Sequence, residues 1–307
     1  MKENYMINNY KNIAQQFKKE KNFIKAIQFY KKAQKLNKDS QDVEILLELA
    51  LIYDELQQYE LAMTTYDEII RIDNQDERAY YGKAIIFDNL NEFDNAILYY
   101  NKAIGINPFY QKAYFFAAGA YDALGHKEEA IEYYNKAIEL NSDDFWAYLN
   151  LGSIYEEQKQ YEKSNEITEK ALMINPNNHM VLFNMGVISN KLNRKNKAVE
   201  YYEKAINQRK DYPFSYLNLA IIYKEKEDFT RAIAIISEGI KNNSDTSYLY
   251  YNRACFYAIN NELEKALDDL EKSLEMNSDF IEYIKRDMEL NNLRDIERFE
   301  NFILDFE

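Results

Sequence analysis

Ala26, Ala62, Ala96, Ala130, Ser164, Ala198, Ala232 and Ala266 follow one another at spacings of 36 and then, six times, 34 residues. A period of that length identifies an array of one repeated supersecondary unit, so a single unit constrains the whole chain. Four residues after each anchor stands a larger side chain: Tyr30, Tyr66, Tyr100, Tyr134, Thr168, Tyr202, Ile236 and Leu270. Three further on the residues are mostly small: Ala33, Ile69, Ala103, Ala137, Ala171, Ala205, Gly239 and Ser273. Twelve residues before the anchors come Ala14, Ala50, Ala84, Ala118, Gly152, Gly186, Ala220 and Ala254, where only a small side chain lets two helices cross closely. Rings return three positions later at Phe17, Tyr53, Phe87, Tyr121, Tyr155, Tyr223 and Tyr257, with Ser189 the exception. Spacings of three, four and seven place these residues on one helical face, so each repeat reads as two antiparallel amphipathic helices.

The pattern resembles the tetratricopeptide repeat family, whose 34-residue helix-turn-helix unit carries a bulky residue, Leu-Gly, Tyr, Ala, an aromatic and Pro in fixed places. The fullest match is Phe145 to Asn178, through Tyr148, Leu151-Gly152, Tyr155, Ala171 and Pro176, while Ser164 and Thr168 depart from the usual Ala and aromatic. Eight repeats are expected, starting at Ile7, Val43, Glu77, Gln111, Phe145, His179, Pro213 and Ser247 and covering residues 7–280. Residues 1–6 form a lead-in and residues 281–307 a C-terminal cap. The resemblance implies an all-α, right-handed α-solenoid with a concave inner groove. Pro108, Pro176 and Pro213 fall between repeats, where a missing N–H does least harm. Asn91, Gly125, Asn193 and Asn261 fall at turns inside repeats, which want a residue tolerant of positive φ. Lys83 and Arg253 stand where the family usually has Leu; either they snorkel or their helices are rotated.

An unbroken array makes one body of stacked neighbours rather than the two globular domains that 307 residues would otherwise suggest. The net charge of -14 opposes nucleic acid and anionic membranes, which require a basic stripe. No run of about eighteen apolar residues is present, so no membrane insertion is expected and a cytoplasmic location is inferred. Cys255, the single cysteine, has no partner for an internal disulfide, which fits a reducing compartment.

Catalytic chemistry finds no foothold. His126 and His179 fall at a turn and a helix start without a second His or Cys at metal-ligand spacing. The seven glycines are scattered rather than gathered into a phosphate loop. Carboxylate pairs such as Glu128-Glu129 and Glu156-Glu157 are adjacent in sequence and point apart on a helix. Cys255 reads as a small, partly buried hydrophobe pointing toward the groove. No enzyme and no cofactor is expected.

Counting each repeat from its first residue, the core face of the first helix uses the fourth, seventh, eighth and eleventh positions. The fifth position is also largely apolar, with Leu149, Phe183, Leu217 and Tyr251 in the last four repeats, and so is much of the ninth, ending in Val187, Ile221 and Cys255. By resemblance these positions line the groove in which family members bind partners, although neighbouring first helices can also bury such a stripe against each other. From the fifth repeat on, the second position adds Trp146, Met180, Phe214 and Tyr248, which neighbouring helices do not readily absorb. The sixth position of those repeats reads Asn150, Asn184, Asn218 and Asn252, a row of amides able to donate to and accept from a peptide backbone. Related asparagine ladders in the repeat arm of O-GlcNAc transferases hold extended substrate peptides, although Asn is also common at this position in the family. The carboxylate clamp of chaperone-binding relatives is not matched, since Lys11 is the sole basic residue in the fifth-position series. Apolar anchors are expected to supply affinity and amides to fix direction.

The cap keeps an apolar face through Ile281, Ile284, Met288, Leu293, Ile296, Phe299, Phe302, Ile303 and Phe306, as a solenoid end requires. Its Leu293-Arg294-Asp295 and Arg298-Phe299 phrases resemble the endings of bacterial repeat proteins, and a tail folding into a groove is a further possibility. The expected function is a protein-binding scaffold or adaptor that takes a peptide segment of a partner protein. A substrate-recognition subunit for a separate transferase and a self-assembling solenoid are the alternatives.

Overall fold

The computed structural model describes residues 2–36 and 42–304, and every regular element among them is helical. The chain forms an all-α solenoid of helix pairs and divides into two compact bodies, Met1–Ala147 and Tyr148–Glu307. The first body pairs α1 (Lys2–Lys19) with α2 (Phe23–Leu36), α3 (Val43–Glu55) with α4 (Tyr59–Ile72), α5 (Glu77–Asn89) with α6 (Phe93–Ile106) and α7 (Gln111–Ala123) with α8 (Lys127–Leu140). Helix α9 (Phe145–Glu157) carries the boundary within it. The second body continues with α10 (Tyr161–Ile174), then α11 (His179–Lys191) with α12 (Lys195–Gln208), α13 (Pro213–Glu225) with α14 (Phe229–Asn242) and α15 (Ser247–Ile259) with α16 (Leu263–Met276). Two short helices, α17 (Ile281–Arg286) and α18 (Glu297–Leu304), end the chain, separated by the 3-10 segment Met288–Leu293.

The small-and-ring pattern forms the core in both bodies. Ala96, Tyr100 and Ala103 are fully buried in the first, and Ala198, Tyr202 and Ala205 in the second. Gly186 shows how tight the crossing is: a Cβ added there would stand 2.6 Å from the Tyr202 ring. The first helices bury a second flank that the sequence reading missed. Third and tenth positions are buried at Ile45, Ala79 and Ala113 with Ile52, Ile86 and Ala120 in the first body, and at Val181, Ser215 and Leu249 with Ile188, Ile222 and Phe256 in the second. Residues seven apart share a face, and this one turns toward the second helix of the preceding repeat, with which α3, α5, α7, α11, α13 and α15 make contact. In the first repeat described, the same positions are the exposed and polar Asn9 and Gln16. Helix α1 starts at Lys2, so the stretch Lys2–Met6 ahead of the first repeat continues its first helix. Nothing in that stretch stops a helix, since Gly and Pro are absent from it.

Every turn within a repeat closes in one way. Asn91, Gly125, Asn193 and Asn261 have positive φ, and Lys21, Gln57, Lys159 and Glu227 occupy the equivalent place with φ of 56° to 60°. At Gly125 the N–H donates to Asp122 O at 2.9 Å, and the next N–H, His126, donates to Tyr121 O at 2.9 Å. This paired closure satisfies carbonyls at the helix end and recurs at all eight turns.

Lys83 and Arg253 neither rotate their helices nor reach out to water: Ala84 and Ala254 beside them are fully buried, so register is kept, and each cation is covered and paired. The Lys83 ammonium reaches Asp67 at 2.6 Å and lies 4.6 Å from the Tyr99 ring centroid. The Arg253 guanidinium forks onto both oxygens of Asp269 at 2.7 Å and onto Ser237 Oγ at 2.9 Å.

At the C-terminus, Ile284, Leu290 and Leu293 are fully buried and Phe299 nearly so, closing the last hydrophobic face. Met288, expected on that face, is 79% exposed, because the 3-10 geometry turns Leu290 inward instead. The Phe302 side chain and Phe306 lie outside the described residues. Arg298 on α18 bridges Glu264, Asp268 and Glu271 of α16 at 2.8 to 2.9 Å.

Candidate functional site

The fifth position proves to be largely part of the packing within each repeat. Leu149 is buried at 2% exposure and therefore belongs to the interior rather than to an open groove. Phe183 packs against Tyr202 of its own second helix with ring centroids 5.8 Å apart. Tyr81 on Tyr100 and Phe115 on Tyr134 repeat that contact in the first body. A second ring closes over the fifth position from the last residue of the repeat: Tyr110 over Tyr81 at 4.9 Å, Tyr212 over Phe183 at 5.3 Å and Phe280 over Tyr251 at 5.4 Å. Asp144, Asn178 and Thr246 hold the same place in the intervening repeats, so the 34-residue period alone does not flag this covering ring.

Second-position side chains behave differently. Phe214 is 46% and Met180 36% exposed, although both sit on helices whose other apolar residues are mostly covered. Phe214 stacks on the half-buried Tyr248 at 5.6 Å with the planes 21° apart, and on its other side meets Tyr212 at 5.5 Å. His179 adds an edge-on contact to Tyr212 at 5.1 Å. Met180, Phe183, Tyr212, Phe214 and Tyr248 thus make a partly exposed, mostly aromatic surface in the second body. Trp146, on the first-body side of the boundary in α9, is 47% exposed and meets Phe145 edge-on.

The four asparagines are all half-buried and are engaged in different ways. Asn184 Nδ2 donates to Ser153 Oγ at 3.1 Å. Asn218 and Asn252 turn back onto their own helices, donating to Phe214 O at 2.9 Å and Tyr248 O at 2.7 Å. An amide has two N–H groups and a carbonyl oxygen, so each of these bonds uses one donor. Beside Asn184 opens a small hollow of about 100 Å³ lined by Gly152, Ser153, Glu156, Phe183, Asn184, Val187 and Ile188. Ser153 and Glu156 carry its polar side; the sequence reading took Glu156 only as a surface charge beside Glu157, although a carboxylate recurs at its place in Asp54, Asp88 and Asp122.

In the last repeat the equivalent surface is covered by the chain itself. Tyr251 donates its hydroxyl to Asp287, Asn292 donates to Ala258 O at 3.3 Å, and Lys224 of α13 pairs with Glu289. Leu217, half-buried, packs against the same terminal core. Cys255 is 2% exposed, and its thiol lies 3.5 Å from Asp287 Oδ2. Burial first, then the carboxylates of Asp287 and Glu289, pushes that thiol far above its ordinary range, opposite to the shift of a reactive cysteine. Cys255, Asp287 and Glu289 place donor atoms within 4.8 Å of one another, but the carboxylates are taken up by Tyr251, Cys255 and Lys224. His179 is pushed below its ordinary pKa by burial and by Arg209, whose guanidinium nitrogen lies 3.2 Å from Nε2. No helix among the described residues is long and apolar enough to cross a membrane.

Models of the tetratricopeptide repeat match residues 18–86, 77–110, 145–178, 181–212, 215–246 and 247–280, and a model described as TPR repeat matches 118–159. The chain belongs to the tetratricopeptide repeat family. Solved tetratricopeptide repeat proteins share the fold. One from Parabacteroides merdae aligns with a TM-score of 0.62 at 19% identity, over 83% of this chain and 99% of that one. The C-terminal part of a repeat protein from Cytophaga hutchinsonii gives 0.64 at 20% identity, over 78% and 97%. A chain of the APC/C hetero-tetramer Cut9-Hcn1 gives 0.57 at 16% identity, over 88% of this chain and 52% of that one. No curated protein matches the sequence. Tetratricopeptide repeats are typically non-catalytic modules of protein interaction.

Proposed function

We propose that this chain is a non-enzymatic scaffold or adaptor that holds a peptide segment of another protein against the first helices of its second body. The observation that carries this reading is the exposed pair Met180 and Phe214, flanked by Phe183, Tyr212 and Tyr248. A single exposed apolar residue is ordinary, but neighbouring ones in register on successive repeats mark an interaction surface. The hollow beside Asn184 accepts one small side chain of the ligand, and the amides of Asn184 and Asn218 have capacity left for its backbone. Each apolar side chain buried there contributes about 1.5 to 3 kcal/mol, whereas a net backbone hydrogen bond contributes about 0.5 to 1.5 kcal/mol. Affinity is therefore set by the aromatic surface and direction by the amides. Tyr251 and Asn252 sit at the covered end and mark where the ligand stops.

The test is a panel of displayed peptides selected on the intact chain, with the best binder measured by calorimetry on the wild type and on Asn184→Ala with Phe214→Ala. A loss of at least tenfold, with an unchanged thermal melt, supports the assignment. Equal affinity for both proteins removes it.

A further inference from the structure

Residues 1–38 contain ten lysines and two glutamates, in a chain that otherwise has 28 basic and 50 acidic residues. Four of these lysines lie on the second helix of the first repeat. Helix α2, FIKAIQFYKKAQKL, is the one second helix without a single carboxylate. Its Lys25, Gln28, Lys32 and Lys35 stand three and four residues apart, with Lys31 beside them, and all five are exposed. None of these lysines forms an ion pair among the described residues. Those on the neighbouring α1 do: Lys11 reaches Asp42 at 3.0 Å and Lys18 reaches Glu48 at 2.7 Å.

A solvated helix face does not account for this row. Like charges at three- and four-residue spacing destabilise a helix, and Lys25 near the N-terminus also opposes the helix dipole. Elsewhere the chain interleaves its charges: on α16, Lys272 pairs with Glu275 at 2.8 Å and Lys265 with Glu262 at 2.6 Å. The α2 ammonium groups are also held in place. Lys25 lies 5.0 Å from the Phe17 ring centroid, Lys32 4.6 Å from Phe29 and Lys31 5.9 Å from Tyr53. Ammonium groups seated on rings, on a helix whose lysines are all exposed, have less freedom to lose on binding.

We propose that this face of α2 docks an acidic helical segment of a partner protein. From Lys25 to Lys35 the row runs about 15 Å at ~1.5 Å per residue, the length of roughly three turns of a partner helix carrying carboxylates at the same spacing. The chain builds this kind of contact within itself, where Arg298 of α18 sits on the row Glu264, Asp268 and Glu271 of α16. Three features favour a polypeptide over a phosphate polymer or a lipid surface. The row contains no arginine to fork onto phosphate. The rings beneath it are covered by lysines instead of open for base stacking. The second helix of the next repeat, α4, carries Glu60, Asp67 and Glu68, so the basic row is not continued along the array. The surface is in the first body, so it stands or falls separately from the second-body site.

The probe is a fluorescein-labelled alanine-based peptide with Glu at alternating four- and three-residue spacing, titrated by anisotropy into the full chain at 50 and 200 mM salt. Binding is expected to weaken several-fold with salt, and roughly tenfold or more in the triple variant Lys25→Gln, Lys32→Gln, Lys35→Gln, which removes three ion pairs. Asn184→Ala with Phe214→Ala is expected to leave it unchanged, and circular dichroism checks that each variant is folded. Equal binding by the folded triple variant overturns the proposal. So does tighter binding, at the same salt, of a single-stranded oligonucleotide or of phosphatidylserine vesicles. A wild-type dimer in gel filtration that the triple variant abolishes would reassign the face to a second copy of the chain and overturn the partner assignment.

Discussion

At the second position of the first helix the two bodies meet the same geometric opportunity with opposite chemistry. In the first body Glu44 and Arg78, on successive repeats, form an ion pair at 2.8 Å, and Arg78 also takes Asp76 at 2.7 Å. In the second body Phe214 and Tyr248, at the same positions, stack their rings. The interior positions of those repeats are alike, Ala62 and Tyr66 matching Ala198 and Tyr202. Packing fixes the interior of every repeat, whereas the second position lies outside that constraint. Its chemistry is free to differ between the two bodies.

The largest effect tests whether the interiors are as alike as this comparison requires. Tyr100→Ala in the first body and Tyr202→Ala in the second each delete a fully buried ring and leave a cavity. Both should cost about 3 to 5 kcal/mol in urea unfolding. Phe214→Ala, at a half-exposed ring, should cost under about 1.5 kcal/mol while affecting ligand binding. A Phe214 cost equal to that of Tyr202 would place the ring in the core and end the contrast.

The buried cations sharpen the difference next. Lys83 and Arg253 hold the same seventh position, but Asp67 keeps half its side chain in water while Asp269 keeps 9%. Lys83→Met should therefore change stability by less than about 1 kcal/mol, because the carboxylate left behind is solvated. Arg253→Met should cost about 3 kcal/mol at neutral pH, because Asp269 is left buried and unpaired. Burial already holds the Asp269 pKa above its ordinary value. Without the opposing Arg253 it rises further, so the folded state binds a proton that the unfolded state releases. The variant should then regain stability as pH falls through that raised pKa, and wild type should not show the same gain.

What could be read from the sequence follows from which positions recur. Ala26 to Ala266 and their partners gave the helix pairs, since a buried small residue or ring is required in every repeat. The third and tenth positions were not recognised, although Ile52, Ile86, Ile188 and Ile222 recur there, because they serve a second flank that a single-face reading ignores. Leu149 and Phe183 occupy one position with one kind of side chain, yet the first is buried and the second only partly covered. That distinction depends on neighbouring side chains and is absent from the spacing. A tail folding into a groove was among the possibilities read from the sequence, but the residues that cover Tyr251 could not be named, since Asp287 and Asn292 belong to no repeat.

The turns give a smaller effect, and one expected in both bodies. Gln57 in the first and Lys159 and Glu227 in the second hold positive φ without being Gly or Asn. A side chain there costs roughly 1 to 2 kcal/mol against the left-handed backbone. Lys159→Gly and Glu227→Gly should each stabilise by about 0.5 to 1 kcal/mol, part of the relief being offset by the freer unfolded chain. Gly125→Ala should destabilise by a similar amount. A loss on placing Gly at 159 or 227 would show that those side chains contribute contacts outweighing the backbone.

The smallest effect separates the covered last repeat from its open neighbours. At the ninth position Val187 and Ile221 stay partly exposed, while Cys255 is sealed beneath the C-terminal segment. A thiol buried beside Asp287 and Glu289 resists ionisation, so its folded pKa lies above the unfolded value of about 8.5. Stability from this group is fully present below that value and is lost as pH rises above it, because only the unfolded chain then releases the proton. Between roughly pH 8.5 and 9.5 the loss should approach 1 kcal/mol, and Cys255→Ala should remove that increment of slope. A thiol reagent at pH 8 should label the native protein only as fast as the last repeat opens. Asp287→Ala, by loosening the segment over Tyr251 and Cys255, should speed labelling before it changes the far-ultraviolet dichroism. Rapid labelling of the unaltered chain would mean that the segment does not seal the last repeat, and the ligand surface would then extend through Tyr251 and Asn252.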